Sequence, residues 1–506
     1  MKKRIISIID RIVSVCDNWI CKGEDGLLRF VDPNDGVEIS AHYGATHSAA
    51  SFIIWGKIRG DESLYSKGVA LLDSIIRRWN LSKSLPAFHF DFNNFALIVA
   101  SNYVDVDLAE RIKQIVCQTC DSNHDTINWL PMRWAVNKKR LEWNSDAKYQ
   151  SVINHCKNTI LKASNADGGI EDRLPHGMSF NLQYDLATVA VLQYLNVGGE
   201  NIDLSKHLGF LLNAVSPDGD INYQGRGTNQ VFAWGLWVYL LASSGRKEDL
   251  SKALDFLSSR LDMMLKQNSM MLNDWEGKEK YLWWDYHYAS VYISHCLLWL
   301  ILSIKDYGKA PIIPILPTSI ETGLHIHRTE NNFVSWFDGR SEYLAEKGPA
   351  ISCIWTKSQG IISKGAFAPW QGPFGNKHIY EDIVLKNYCG LLSVKRNKDW
   401  SKNRFVHKLI PSIESNPSIC LRPIFCPISV TESEGRLEIT WHNNNMHDVI
   451  FNIPTFSENV SFDLYADDKK IATYCVESVK NQYGWVFLHQ SHVFSGEFIK
   501  VIISTD

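Results

Sequence analysis

Long apolar runs are scarce in this chain of 506 residues. A bilayer span needs about 20 consecutive apolar residues. The best candidate, CLLWLILSI at 296–304, stops well short of that, and no membrane span is expected. An export signal is also missing. In the opening MKKRIISIIDRIVSVCDNW, Asp10 and Arg11 interrupt the apolar stretch, which predicts an amphipathic helix and a cytoplasmic setting. Charge of one sign is missing too: 52 Lys and Arg face 55 Asp and Glu, a net charge of −3. That balance offers nucleic acid or an anionic membrane no general attraction. The 11 Cys are odd in number and scattered, which excludes a full disulfide framework. Cys117 and Cys120 form a CxxC with no second pair, so neither a metal nor a cofactor is expected.

What the chain has in quantity is aromatic side chains, with 18 Trp, 19 Tyr and 22 Phe. Large rings build cores, and Trp also offers a flat face to the C–H side of a sugar. At this length two domains are expected. From about residue 40 to 305, HSAASFIIWGKI, NFALIVASNYV, LAERIKQIVCQTC, VFAWGLWVYLLA and similar segments repeat apolar residues at helical spacing. Two Asp-Gly turns, in ADGGIED (166–172) and PDGDINY (217–223), lie 51 residues apart, about one helical hairpin with its loops. Hairpins that cannot bury their faces alone must stack or close into a ring.

GKAPIIPILPTS (308–319), with Pro311, Pro314 and Pro317, reads as a linker. Beyond it, NNFVSWF, GIISKGAF, RLEITWH, VSFDLYA and YGWVFLH alternate with period two and read as antiparallel strands. The expected fold is therefore α+β and multidomain. An N-terminal (α/α) toroid of about ten to twelve helices spans 1–307, and a C-terminal antiparallel β-sandwich spans 320–506.

Polar clusters recur at the helix starts. HYGATH (42–47) holds His47, HFDFNNF (89–95) holds Asn93, and NWLPMRW (128–134) holds Asn128, Trp129 and Arg133. HGMSFNLQYD (176–185) holds His176, Asn181, Gln183, Tyr184 and Asp185. The approach to the helix after residue 230 gathers Tyr223, Gln224, Arg226, Asn229 and Gln230, and WWDYHY (283–288) adds Trp284, Asp285 and His287. Each alone reads as a cap with loop hydrogen bonds. In a closed ring they would line one mouth, with amides and Arg for hydroxyls and carboxylates and indoles for ring faces.

The order of these segments resembles the heparinase II/III-like and alginate-lyase-like polysaccharide lyases, a helical toroid followed by antiparallel sheets. NWLPMRW is similar to the family's Asn-Trp stretch, which implies that Asn128 neutralises a uronate carboxylate. DGGIEDRLPHGMSFNLQYD is similar to its Asp-Gly…Tyr segment, which implies that Tyr184 moves the proton. One departure is plain. The region matching the family's Gly-His-Gly-His-x-Asp stretch reads GRSEYLAEKGPAISCIWTKSQG and contains no His, and His325, His327, His378 and His407 fit no motif.

β-Elimination needs a base for the C5 proton and hydrogen bonds that stabilise the enolate. Arg226, Arg133 and His176 would supply a positive field for Tyr184. His47, Asn93, Trp129, Arg133, Asn181, Gln183, Tyr223, Gln230, Trp284, Asp285 and His287 are the expected sugar contacts, and the expected partner is an acidic poly- or oligosaccharide. Two alternatives stay open. One is a glycoside hydrolase pairing Asp185 with Asp285 or Glu171. The other is a non-catalytic carbohydrate-binding protein of surface-polysaccharide production.

Overall fold

Helix α1 (Lys2–Asp17) buries Ile5, Ile8, Ile9, Ile12 and Cys16, at intervals of three and four that place them on one face. It begins the computed structural model, which describes residues 1–33, 36–39, 42–82, 89–174, 177–224, 230–265, 289–310, 322–337, 350–364, 390–396, 419–423, 427–433, 435–444, 449–457, 459–473, 476–481, 484–490 and 495–505. Eleven further helices follow among these residues: α2 (Gly44–Arg59), α3 (Glu62–Ser82), α4 (Phe90–Ala100), α5 (Val106–Gln118), α6 (Leu130–Asn144), α7 (Ala147–Ala163), α8 (Leu182–Val197), α9 (Ser205–Ala214), α10 (Val231–Ser243), α11 (Lys247–Leu265) and α12 (Ala289–Lys305).

The packing order closes a ring. Helices α2, α4, α6, α8, α10 and α12 each touch the next, and α12 returns to α2. Outside them α3 packs on α2, α5 on α4, α7 on α6, α9 on α8, α11 on α10 and α1 on α12. Composition explains the two layers. Every residue of α10 is buried, as is α12 from Ala289 to Ser303, so these helices are apolar on all sides. Helix α5 buries only Leu108, Ile112, Ile115 and Val116, the stripe of an outer helix.

The two Asp-Gly turns are structural equivalents. Asn165 N–H bonds Gly169 O at 2.9 Å, and Ser216 N–H bonds Asp220 O at 2.9 Å. Gly168 and Gly219 adopt φ of +93° and +96°. A Cβ at either would lie 2.3 Å from Lys206 O or 2.7 Å from Lys252 O, so each turn nests on the backbone of the next outer helix.

Two short hairpins lie within the helical part, β1 (Ile20–Lys22) with β2 (Leu28–Phe30) and β3 (Asp172–Leu174) with β4 (Gly177–Ser179). The remaining strands are β5 (Leu324–Arg328), β6 (Asn332–Phe337), β7 (Ala350–Thr356), β8 (Gly360–Lys364), β9 (Gly390–Arg396), β10 (Ile419–Pro423), β11 (Ile428–Ser433), β12 (Arg436–His442), β13 (Val449–Thr455), β14 (Phe462–Ala466), β15 (Lys469–Ala472), β16 (Val476–Asn481), β17 (Gly484–Gln490) and β18 (Phe498–Ser504). One sheet runs β16-β17-β13-β9-β7-β6-β5, with β10 on β9 and β8 on β7; the other runs β11-β12-β18-β14-β15. Period two sets the register of the second sheet: Leu437, Ile439 and Trp441 pair with Ile503, Val501 and Ile499, all buried.

The first sheet docks on the toroid through the repeated turns. Asp167 Oδ2 accepts from Thr322 N–H at 2.9 Å and from its hydroxyl at 3.1 Å. Asp220 Oδ2 meets Lys364 Nζ at the end of β8, and both side chains are buried. Arg328 in β5 donates to the carbonyls of Asn213 and Val215. The fold is thus a helical toroid carrying an antiparallel sheet domain. The Pro311–Pro317 stretch lies outside the described residues.

Candidate active site

The starts of α2, α4 and α6 come together. His42 and Tyr43 precede α2, His89 precedes α4, and Trp129 ends a 3₁₀ turn (Ile127–Trp129) that leads into α6. His42 and His89 lie 4.4 Å apart between ring centroids, and Tyr43 stacks on Phe92 at 4.5 Å and 11°. Trp129 stands 5.4 Å from His89, 5.6 Å and perpendicular to Phe92, and 5.9 Å from His124. Tyr43, His89, Phe92 and Trp129 are only 6–9% exposed, and Tyr43, Phe92 and Trp129 join the hydrophobic core, with a thin accessible rim at its edge.

Asn128 is held by its backbone. Asp172 Oδ1 accepts from the N–H of Ile127 at 2.8 Å and of Asn128 at 3.4 Å. Its side-chain Oδ1 is buried with no hydrogen-bond partner among the described residues, unusual for a buried amide. The turn that carries Asn128 packs against α8. In the first turn of α8, Asn181 O receives the N–H groups of Tyr184 and Asp185, and Gln224 Oε1 receives Leu182 N–H at 2.9 Å. Gln183 is fully buried, and Tyr184 is half-buried against the core. Burial, with Asp167 nearby, pushes the Asp185 carboxyl well above the usual range, and the backbone N–H of Ile170 offsets part of that. Both burial and the neighbouring carboxylate favour its neutral form.

Several expected sugar contacts are instead engaged inside the protein. Arg133 spends its guanidinium on Asp91 at 3.1 Å, Asp125 at 2.9 Å and the carbonyls of Ser122 (2.8 Å) and His124 (2.6 Å). Burial pushes Asp91 up to about 6, and Arg133 keeps it from rising further. Arg133 therefore clamps a loop and has little left to offer a carboxylate. Asn93 bonds the Thr46 hydroxyl at 2.8 Å and donates to His89 O at 3.0 Å, tying α4 to α2. His47 is fully buried, between Tyr43 O and His295. Tyr223 is fully buried as well, with its hydroxyl on Ala214 O and its ring 6.0 Å from Phe333 of β6. It belongs to the joint between toroid and sheet.

The polar approach to α10 is largely construction. Asp220 Oδ1 accepts from Asn222 N–H and Trp234 Nε1 at 2.9 and 3.0 Å, and Asn222 Nδ2 donates to Gln230 O at 2.8 Å. Gln230 Oε1 is buried without a partner among the described residues. His176, Arg226, Asn229, Trp284, Asp285, His287, His378 and His407 lie outside the described residues. Among those described, no group of His, Cys, Asp or Glu could hold a metal ion, and no helix is long and apolar enough to cross a membrane.

Sequence reasoning missed His295, Asp172 and Lys364. A lone His in the otherwise apolar SVYISHCLLWLILSI was the signal available for the first. The other two act on partners 44 and 144 residues away and leave no local mark.

No family model matches the sequence, and no curated protein matches it. Solved structures share the general shape. The GH76A alpha-1,6-mannanase from Salegentibacter sp. HEL1_6 is similar over 58% of this chain and 98% of its own, at 12% identity and a TM-score of 0.41. An unsaturated glucuronyl hydrolase specific for heparin is similar over 60% and 96%, at 10% identity and a TM-score of 0.39. The heparan sulfate lyase HepC from Pedobacter heparinus is similar over 86% and 75%, at 8% identity and a TM-score of 0.25. Likenesses this distant assign no activity to this chain.

Proposed function

We propose that this protein is a carbohydrate-active enzyme whose site is the aromatic mouth of the toroid, and that it cleaves a uronic-acid polysaccharide by β-elimination. The observation that carries the reading is the meeting of His42, Tyr43, His89, Phe92 and Trp129 beside Asn128, whose buried amide oxygen has no partner among the described residues. Flat rings suit sugar faces; the unpartnered Asn128 Oδ1 would accept from a sugar hydroxyl, while its Nδ2 amide would be the donor to a carboxylate. Asn128 would polarise the uronate. Tyr184, in the first turn of the neighbouring α8, would take the C5 proton and pass it to the leaving oxygen. Arg226 and His176 are the remaining candidates for the second polar group, since Arg133 is already committed.

A hydrolase using paired carboxylates is the second reading, favoured by the raised pKa of Asp185, the direction a general acid needs. Against it stands the burial of that side chain, which is only 1% exposed. One experiment separates the two. The full chain is incubated with alginate, heparan sulfate and other uronic-acid polymers while ultraviolet absorbance and reducing ends are followed together. Elimination raises both signals and loses both in Tyr184→Phe. Reducing ends without absorbance sink the lyase reading, and neither signal leaves a binding protein.

A further inference from the structure

The ring closes where α12 meets α2, and a chain of hydrogen bonds crosses that seam. Trp299 Nε1 lies 3.0 Å from His295 Nε2, His295 Nδ1 lies 3.2 Å from His47 Nε2, and His47 Nδ1 lies 3.0 Å from Tyr43 O. An indole N–H only donates, and a main-chain carbonyl only accepts. His295 Nε2 must therefore be bare, which leaves its proton on Nδ1. That proton makes His47 Nε2 an acceptor and puts the His47 proton on Nδ1, facing Tyr43 O. One arrangement of protons satisfies all three bonds, with both imidazoles neutral and both protonated on Nδ1.

The chain ends at the residue that builds the mouth. Tyr43 stacks on Phe92 and stands 5.4 Å from His89, and His89 meets Trp129. Around the two imidazoles lie the rings of Tyr43 at 4.9 and 5.5 Å, Phe92 at 5.9 Å and Phe232 of α10 at 6.2 Å. The carboxylates of the neighbouring elements are engaged elsewhere: Asp32 on Ser290 N–H and hydroxyl, and Asp91 on Arg133. No carboxylate among the described residues is positioned to balance a proton on either ring. Burial accordingly pushes His47 down to about 3 and His295 well below its usual value.

We propose that Trp299, His295 and His47 are positioning residues that hold Tyr43, and through it the aromatic mouth, in register, in a single arrangement of protons that admits no further proton. A proton on His295 Nε2 would face the indole N–H of Trp299. A proton on His47 Nε2 would face the N–H of His295. Either case sets donor against donor and buries a charge. The use of the mouth by a sugar rests on the proposed function; the relay rests on the distances alone.

The test is long-range ¹H–¹⁵N correlation of imidazoles in the full chain, selectively labelled in His and in Trp indole nitrogen, at about pH 7 and about pH 5. His47 and His295 are assigned by the signals lost in His47→Gln and His295→Gln. Both are expected as neutral, Nδ1-protonated rings that do not change between the two conditions. In His295→Gln the signals of His89 and Trp129 should shift, while Trp441 in the five-stranded sheet stays in place. A proton on Nε2 of either ring, titration like a free histidine, or unmoved His89 and Trp129 signals would overturn the proposal. If the variants do not fold, the wild-type spectra still decide: His207, whose Nδ1 faces Gly168 O, should share the Nδ1 tautomer and resistance to acid with His47 and His295, and fewer than two such rings would overturn the proposal. No sugar enters this test, so a protein that binds none would sink the functional reading and leave this one standing.

Discussion

Lys364→Met tests how the sheet domain is held on the toroid. Lys364 and Asp220 have side chains only 5% and 1% exposed, so solvent does not screen the pair. Asp220 also accepts from Asn222 N–H and the Trp234 indole, each at about its ideal distance. Removing the cation leaves a buried carboxylate with two neutral donors, and breaking a buried pair from one side costs about 3–5 kcal/mol. Asp220→Asn should also be costly, because the new amide N–H₂ faces the ammonium. The double variant removes both charges and should lose less than either single change, since apolar replacement of a whole buried pair is often near neutral. Urea unfolding suits the question, because the shift in midpoint at unchanged slope reads the loss of stability directly. A loss under about 1 kcal/mol in Lys364→Met, the range of a surface pair, would refute the argument. So would a double variant whose loss equals the sum of the two.

The other predictions concern burial and backbone. Asp185 has a folded-state pKa raised by burial, so the folded chain holds its proton where the unfolded chain, near 3.8, has released it. Its contribution to stability is therefore full below that unfolded value and falls as pH rises, by about 1.4 kcal/mol per pH unit until the folded group titrates. Asp185→Asn should be more stable than wild type at neutral pH and equal to it in acid, measured by urea midpoints across pH; parallel curves would contradict this. Gly168→Ala and Gly219→Ala should each lose more than about 1 kcal/mol, because both need positive φ and leave no room for a Cβ. Thermal unfolding that leaves one of the two untouched would show that the turns are not equivalent. Loss of the elimination product in Tyr184→Phe, with binding retained, remains the test of chemistry.

Much of the architecture was legible because it depends on local pattern. The three- and four-residue spacing in IISIIDRIV specifies an outer helix whatever its neighbours, and RLEITWH alternates inward and outward in any antiparallel sheet. The 51-residue spacing of the Asp-Gly turns predicted a repeat because a positive-φ glycine is a requirement of the turn itself. The meeting of the starts of α2, α4 and α6 followed from ring closure. Which of those polar groups remain open to a ligand did not follow. NWLPMRW shows Arg133 beside Asn128 with nothing to tell them apart, yet Arg133 is consumed by Asp91, 42 residues away, while the Asn128 oxygen has no partner among the described residues. His47 gains its partner 248 residues along the chain, and Asp220 its cation 144 along.

Periodicity is a property of one segment and survives in its letters. A hydrogen bond belongs to two segments, and burial decides whether it forms, because a buried donor or acceptor must find a partner or bear the loss of water. The sequence by itself therefore determined the helices, the strands and the polar character of the helix starts. Only the tertiary structure decided which of those polar residues are spent on holding the ring and the sheet together.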